Sequence, residues 1–299
     1  MASRAGQGLI STSLLWLLLV SSCATVNRGT VREDDAFAAL SGGGKLYFRV
    51  DVAEVRPILD ALAVNTPLGL GTAKASEALD RTDSAAVALF PAGGPRRYSV
   101  AARGRYPTGR GAFSLALSSD WKKKTSASGE RYWRSAGGVS LAFNHRSALV
   151  SDGEPFPGGI SPSPPEAYAS YGKSAALSGW ISEPSSAISG FLGEAGSLIR
   201  LPIEELVFAV LKQASSDRFL LEVRLVAASP ERARGLAALL WLVRGSLDAA
   251  TLSGGGALLG QLLSAAPVSE GSQLILRSSP LSADEFALLC SDLSIYFSQ

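Results

Sequence analysis

A single histidine, His145, and two cysteines, Cys23 and Cys290, supply all the imidazole and thiol in 299 residues. A structural zinc site takes four such ligands at short paired spacings, and no such spacing occurs here. A Ser–His–Asp device would need His145 as its base. That residue lies between Asn144 and Arg146 in an expected hairpin and no G-x-S-x-G turn accompanies it, so it reads as a surface turn histidine. The glycine runs at 42–44, 93–94, 137–138 and 254–256 lack the P-loop and dinucleotide fingerprints. Residues 104–111 (GRYPTGRG) set two arginines among glycines, which either attracts a phosphate or forms a turn with solvated arginines. Adjacent carboxylates occur at Asp34-Asp35, Glu204-Glu205 and Asp284-Glu285. The last pair suits the first turn of a helix, where acids meet the positive end of the dipole. No general acid–base pair is assembled by these spacings, so the chain is expected not to be an enzyme and to carry no cofactor or metal.

Two other features bear on contact rather than catalysis. Trp121-Lys122-Lys123-Lys124 and Tyr132-Trp133-Arg134 form a basic-aromatic cluster. Rings and amines in this mixture suit a lipid headgroup region, although a solvated loop with one tryptophan in the core has the same composition. Trp121, Lys122, Lys123 and Lys124 are the candidate headgroup contacts. The cluster could also stack on single-stranded nucleic acid, but an exported chain seldom meets any and the net charge is only +2, so nucleic acid is not expected as a partner.

The second feature is the segment 235–268. Residues 235–243 (GLAALLWLV) are apolar on every side of a helix and are bracketed by Arg232, Arg234 and Arg244, and residues 249–269 carry no charge. A helix apolar all round is covered on all sides by protein or by lipid. Either the pair is buried under a sheet, or it lines a lipid-sized cavity or dips into an interface with its arginines near headgroups. The candidate lipid contacts are Leu236, Leu239, Leu240, Trp241, Val243, Leu258, Leu259, Leu262 and Leu263.

The elements that position these residues follow from patterning. Hydrophobic residues make up 46% and charged residues 18%, with a mean hydropathy of +0.19. The charge is below the ~25% of an ordinary soluble domain, and the apolar content excludes a disordered, collagen-like or coiled-coil chain. In the first half strands are expected at 45–50 (Leu46, Phe48 and Val50 on one face), 84–90, 96–103, 131–135, 139–144 and 148–151. Helices are expected through Val55, Ile58, Leu59 and Leu62, and at 111–121. A proline-rich stretch spans 153–165. In the second half strands are expected at 175–181, 206–211, 218–226 and 273–277. A weak helix carries Ile188, Phe191 and Leu192. Ser229-Pro230 opens one helix, and the capping box Ser282…Glu285 opens another with Phe286, Leu289, Cys290, Leu293 and Phe297 on one face. Both halves can be written strand–helix–strand–strand–helix–strand. The expected fold is therefore α+β: two related units of this kind, with antiparallel sheets covered by helices. The organisation reads as a signal peptide at 1–22, a flexible tether at 23–44, an α+β unit at 45–152, a Pro/Gly-rich connector at 153–173 and a second α+β unit with apolar helices at 174–299.

The beginning of the chain carries the compartment signal. Arg4 precedes a seven-residue apolar run, 14–20, too short to span a bilayer, and Val20-Ser21-Ser22 leads into Cys23. This resembles a bacterial lipoprotein signal, with Val20 and Ser22 where the usual pattern has Leu and Gly or Ala. An ordinary signal peptide cleaved near a cysteine is the alternative. With the α+β body and the apolar C-terminal helices, the chain resembles the spirochaete, treponemal-type outer-membrane lipoproteins, whose amphipathic helices insert into the membrane. The resemblance implies lipidation of Cys23 by fatty chains such as palmitate, a position facing the periplasm and binding of membrane lipid. A non-catalytic structural or assembly protein that binds an envelope protein partner is the other expectation.

Overall fold

The computed structural model describes residues 37–65, 73–91, 94, 96–156, 161–171, 174–184, 203–214, 216–246 and 255–296. The expected signal peptide, Cys23 and the first part of the tether lie outside the described residues, as does the expected helix with Ile188, Phe191 and Leu192. The chain divides into two compact units: Met1–Arg56 with Thr66–Ser163, and Pro57–Asn65 with Pro164–Gln299.

In the first unit seven described strands form antiparallel pairs: β1 (Leu46–Asp51), β2 (Thr82–Leu89), β3 (Tyr98–Gly104), β4 (Trp121–Thr125), β5 (Arg131–Ser135), β6 (Ser140–Phe143) and β7 (Ser147–Ser151). Their order is β1-β2-β3-β7-β6-β5-β4. The helices are the start of α1 (Val52–Asn65), then α2 (Ala73–Asp80) and α3 (Thr108–Leu117). Pro57, inside α1, is the first residue of the stretch that belongs to the second unit. Val100, Leu115, Trp121, Trp133, Leu141, Phe143 and Val150 form a core that joins α3 to one face of the sheet. On the opposite face Tyr132, Ala142 and Phe156 cluster, with the two rings edge-on at 6.2 Å.

Three expectations change here. In β1 the buried residue is Tyr47, not Leu46, Phe48 or Val50. Its hydroxyl accepts from Gly44 N at 2.6 Å and donates to Ser41 O at 3.2 Å, which draws the ring inward. Gly44 is required there, because a Cβ would stand 2.8 Å from the Tyr47 ring. The helix expected at 111–121 stops at Leu117. Ser118 is extended and Asp120 N donates to its Oγ, so Trp121 begins a strand instead. Residues 37–44, expected in the tether, include Phe37 and Leu40, which are fully packed.

The second unit contains β8 (Leu177–Ile181), β9 (Ile203–Lys212), β10 (Phe219–Ala227), β11 (Val268–Glu270) and β12 (Gln273–Arg277), in the order β11-β12-β10-β9-β8, all antiparallel. A 3₁₀ turn (Glu166–Ser170) precedes them, and α4 (Pro230–Ser246), α5 (Gly255–Leu262) and α6 (Ala283–Tyr296) follow or interleave. In each unit the first three strands lie side by side in chain order, and the unit's last strand returns to the third strand's other edge. The alternation in β10 buries Phe219, Leu221 and Leu225 with Leu274, Leu276, Leu236, Leu262, Leu263, Ile58 and Phe286. The helix starts are local. Arg232 N donates to Ser229 Oγ at 3.3 Å, while Ser282 N and Glu285 N exchange side-chain bonds at 2.7 and 3.2 Å.

Candidate functional site

Helix α4 starts as an ordinary amphipathic helix and does not stay one. Ala233 and Leu236 are buried, and Ala237 and Leu240 pack against the same core. The opposite face begins with Glu231, Arg232 and Arg234, the last bonded to Glu231 at 3.2 Å. Seven residues are about two helical turns, so residues at that spacing share a face. Seven residues on, Glu231, Arg232 and Arg234 are replaced by Ala238, Leu239 and Trp241, all exposed. Leu239 is 38% exposed, Trp241 62% and Leu242 69%. Of the two alternatives for 235–243, burial under a sheet on every side is not what the fold provides, because the sheet covers only one face of the helix.

The candidate lipid contacts separate accordingly. Leu239 and Trp241 are exposed, while Leu236, Leu262 and Leu263 are buried core, and Leu240 and Leu258 are partly buried against it. The side chains of Val243 and Leu259 lie outside the described residues. Leu236, Leu262 and Leu263 hold the helices to the sheet and cannot meet lipid in this arrangement. Leu242, which was not singled out from the sequence, is more exposed than either Leu239 or Trp241. The spacing of seven from Gly235, on the charged face, was the signal that pointed to it.

The basic-aromatic cluster divides in the same way. Trp121 is buried in the first unit's core, so it is not a headgroup contact. It starts β4, an outer strand of the sheet, on which Lys122, Lys123 and Lys124 are all exposed. Strand alternation sends Lys123 to the Trp121 face and Lys122 and Lys124 to the other. Across the ladder Lys122 opposes Arg134, Lys123 opposes Trp133 and Lys124 opposes Tyr132.

His145 is exposed in the turn after β6, where its carbonyl accepts from Tyr106 N at 3.1 Å. Cys290 is half-buried on α6, and burial pushes its thiol up to about 11, so it is not a poised nucleophile. Sequence reasoning also passed over two features. Phe113 and Leu117, four apart on α3, are both largely exposed. Glu222, almost wholly buried, accepts from Arg277 Nε at 2.7 Å, Arg224 Nε at 2.8 Å and Tyr171 Oη at 2.8 Å.

These observations define an α+β protein with helices packed on antiparallel sheets, and solved structures of the same kind exist. Crystal form III of TP0453, a protein of Treponema pallidum, matches with a TM-score of 0.56 at 15% identity, over 87% of this chain and 98% of that one. Crystal form I of TP0453 matches with a TM-score of 0.54 at 17% identity, over 89% and 99%. The likeness is one of fold, and it is to a treponemal protein. No family model matches the chain, and no curated protein does.

Proposed function

We propose that this chain is a non-enzymatic lipoprotein, anchored through Cys23, that faces the periplasm and associates with the outer membrane by binding lipid through the exposed face of α4. The observation that carries the reading is the change of that face from Glu231, Arg232 and Arg234 to Leu239, Trp241 and Leu242 within one helix. A helix lying in a membrane interface presents cations toward headgroups and Trp or Leu toward the acyl boundary. No described helix is long and apolar enough to cross a membrane. The signal-like segment ending at Cys23 and the treponemal fold likeness support the same compartment.

The magnitudes fit a tethered domain. Fully burying a large apolar side chain contributes about 1.5–3 kcal/mol, so three partly exposed ones contribute roughly 4 kcal/mol together. That alone corresponds to about millimolar affinity. A short tether supplies effective concentrations of about that order, so the patch orients an anchored domain rather than recruiting a free one. Fatty chains on Cys23 supply the holding energy at ~0.8 kcal/mol per buried CH₂.

Vesicle flotation of the full chain tests this. The Cys23→Ser chain is expected to float weakly, and Cys23→Ser with Trp241→Glu and Leu242→Glu not at all. Mass spectrometry before and after organic extraction is expected to show acylated Cys23 in the wild type. If the triple variant floats as well as Cys23→Ser, the patch does not bind lipid; if the Cys23→Ser chain binds no lipid but captures one envelope protein that the triple variant does not, the patch is a protein-docking surface.

A further inference from the structure

The geometry points to an oxyanion-binding site for a phosphate-type group on the β4–β5 ladder, built by Lys122, Lys124 and Arg134. Lys122 and Arg134 are directly opposed in antiparallel register, and Lys124 lies two residues along on the same face. Opposed side chains in such a pair have Cβ atoms ~5 Å apart, and diagonal neighbours lie ~7–8 Å apart, which is the span of one phosphate and its hydrogen bonds. Like charges directly opposite are destabilising in an empty sheet, so the arrangement calls for a counter-charge. None of the three has an ion-pair partner among the described residues. The nearest acids along the strands are Asp120, two residues before Lys122, which forms no ion pair with any of the three, and Glu130, which accepts from Ser128 Oγ at 2.9 Å in the turn between the strands.

The row continues inward. Arg134 opposes Ser140 on β6, and Ser140 opposes Ser151 on β7. Ser140 is completely buried, yet its Oγ has no hydrogen-bond partner among the described residues. A buried hydroxyl without an acceptor is unusual in a folded protein. Ser140 has no exposed surface, so a ligand held at Arg134 stays outside it, and the site is carried by the three cations.

Lysines on an outer strand also keep sheets from pairing edge to edge. That role accounts for exposed lysines anywhere on β4. It does not account for Arg134, which sits on the inner strand opposite Lys122. Lys123 and Arg131 point to the other face and serve as internal controls.

This site refines the headgroup contact and is independent of the α4 patch. The ligand chemistry is a phosphate oxyanion, supplied either by a lipid headgroup or by a soluble phosphate. Calorimetric titration of the full chain with inorganic phosphate reads the soluble source. Flotation on phosphatidylglycerol against phosphatidylcholine vesicles reads the headgroup. Lys122→Gln and Arg134→Gln are each expected to weaken whichever binding is seen by about tenfold, with Lys123→Gln leaving it unchanged. Added phosphate is also expected to raise the thermal midpoint of the wild type more than that of Lys122→Gln, a check that the variants still fold. Trp241→Glu is expected to leave the phosphate titration as it is, so failure of the α4 reading does not imitate failure here. Equal loss in Lys123→Gln, or no saturable binding in either arm, overturns the assignment.

Discussion

Tyr171 Oη donates a 2.8 Å hydrogen bond to Glu222 Oε1, a carboxylate with almost no solvent exposure. Arg224 closes the arrangement. Its Nε donates to the same oxygen, its guanidinium lies 4.6 Å from the centre of the Tyr171 ring, and its Nη1 donates to Ser170 Oγ at 2.8 Å. Arg277 reaches Glu222 Oε2 from β12. Five side chains thus fasten the turn and Tyr171 after it to the sheet face of β10 and β12 that points away from the α4–α6 core.

Disrupting this cluster is expected to loosen the second unit. Glu222→Gln keeps the shape but removes the charge that both guanidiniums face, and is expected to destabilise by about 2–3 kcal/mol. Tyr171→Phe removes one bond to a charged acceptor and is expected to cost about 1 kcal/mol. Burial raises the Glu222 pKa, but the hydrogen bonds from Arg277, Tyr171 and Arg224 outweigh it and hold the carboxyl below its ordinary value. A depressed carboxylate contributes stability above its unfolded pKa, about 4.3, and loses it as pH falls through the folded value. Urea midpoints measured downward from pH 5 are expected to fall less steeply in Glu222→Gln than in the wild type. Parallel slopes would contradict this.

The alkaline limb has a separate cause. Burial raises the pKa of Tyr47, of Tyr171 and of Tyr106, the last to about 12. Thr82 Oγ1 gives its proton to Ala78 O at 2.8 Å, so Tyr106 must donate across the 3.1 Å contact with Thr82 and stays neutral while it does. A raised pKa contributes stability below the unfolded value, near 10, that is lost as pH climbs through the folded one. Ultraviolet titration is expected to show these three of the seven tyrosines ionising late, together with unfolding. Titration of all seven near pH 10 in a still-folded chain would contradict it.

How legible these features were depended on where their partners lie. The alternation in β10 was readable because its core-side face meets helices throughout. Glu222 falls on the other face of that alternation, and nothing in its immediate neighbours marks it as buried. Its burial is set by Tyr171 and Arg277, which are 51 and 55 residues away in sequence. Trp121 could not be placed by composition, because the end of α3 at Leu117 decides which way the next strand's first side chain points. The all-apolar stretch of α4 predicted a helix correctly, and of its two alternative surroundings the fold excludes only complete burial by protein. Patterning reports which residues avoid water but not whether the fold has enough surface to cover them.

At Gly104 the backbone of a neighbouring segment approaches too closely for a side chain. A Cβ there would stand 1.9 Å from Arg81 O and 2.8 Å from Thr82 Cα, beside the register shift between Thr82 and Ser84. No side-chain rotation relieves a clash with backbone, so Gly104→Ala forces β2 and β3 apart. It is expected to destabilise by about 3 kcal/mol or more, in the range of severe packing faults. Gly129→Ala meets nothing within 4 Å, but its φ of +85° is strained for alanine, and it is expected to cost only about 1 kcal/mol. Equal midpoints for the two variants in urea would show that β2 and β3 yield at Gly104.

The two faces of α4 give a contrast that separates folding from contact. Leu236→Ala empties a buried position among Leu225, Leu274 and Leu276 and is expected to destabilise by about 2–4 kcal/mol. Leu242→Ser and Trp241→Ser remove side chains that the fold leaves in water, and are expected to change stability by no more than about 0.5 kcal/mol. Because they reduce exposed apolar surface, they are expected to lower self-association of the detergent-free Cys23→Ser chain, measured by sedimentation. A loss of 2 kcal/mol or more in Trp241→Ser would mean that its ring is part of the core, and that the exposed face of α4 is already covered by the protein itself.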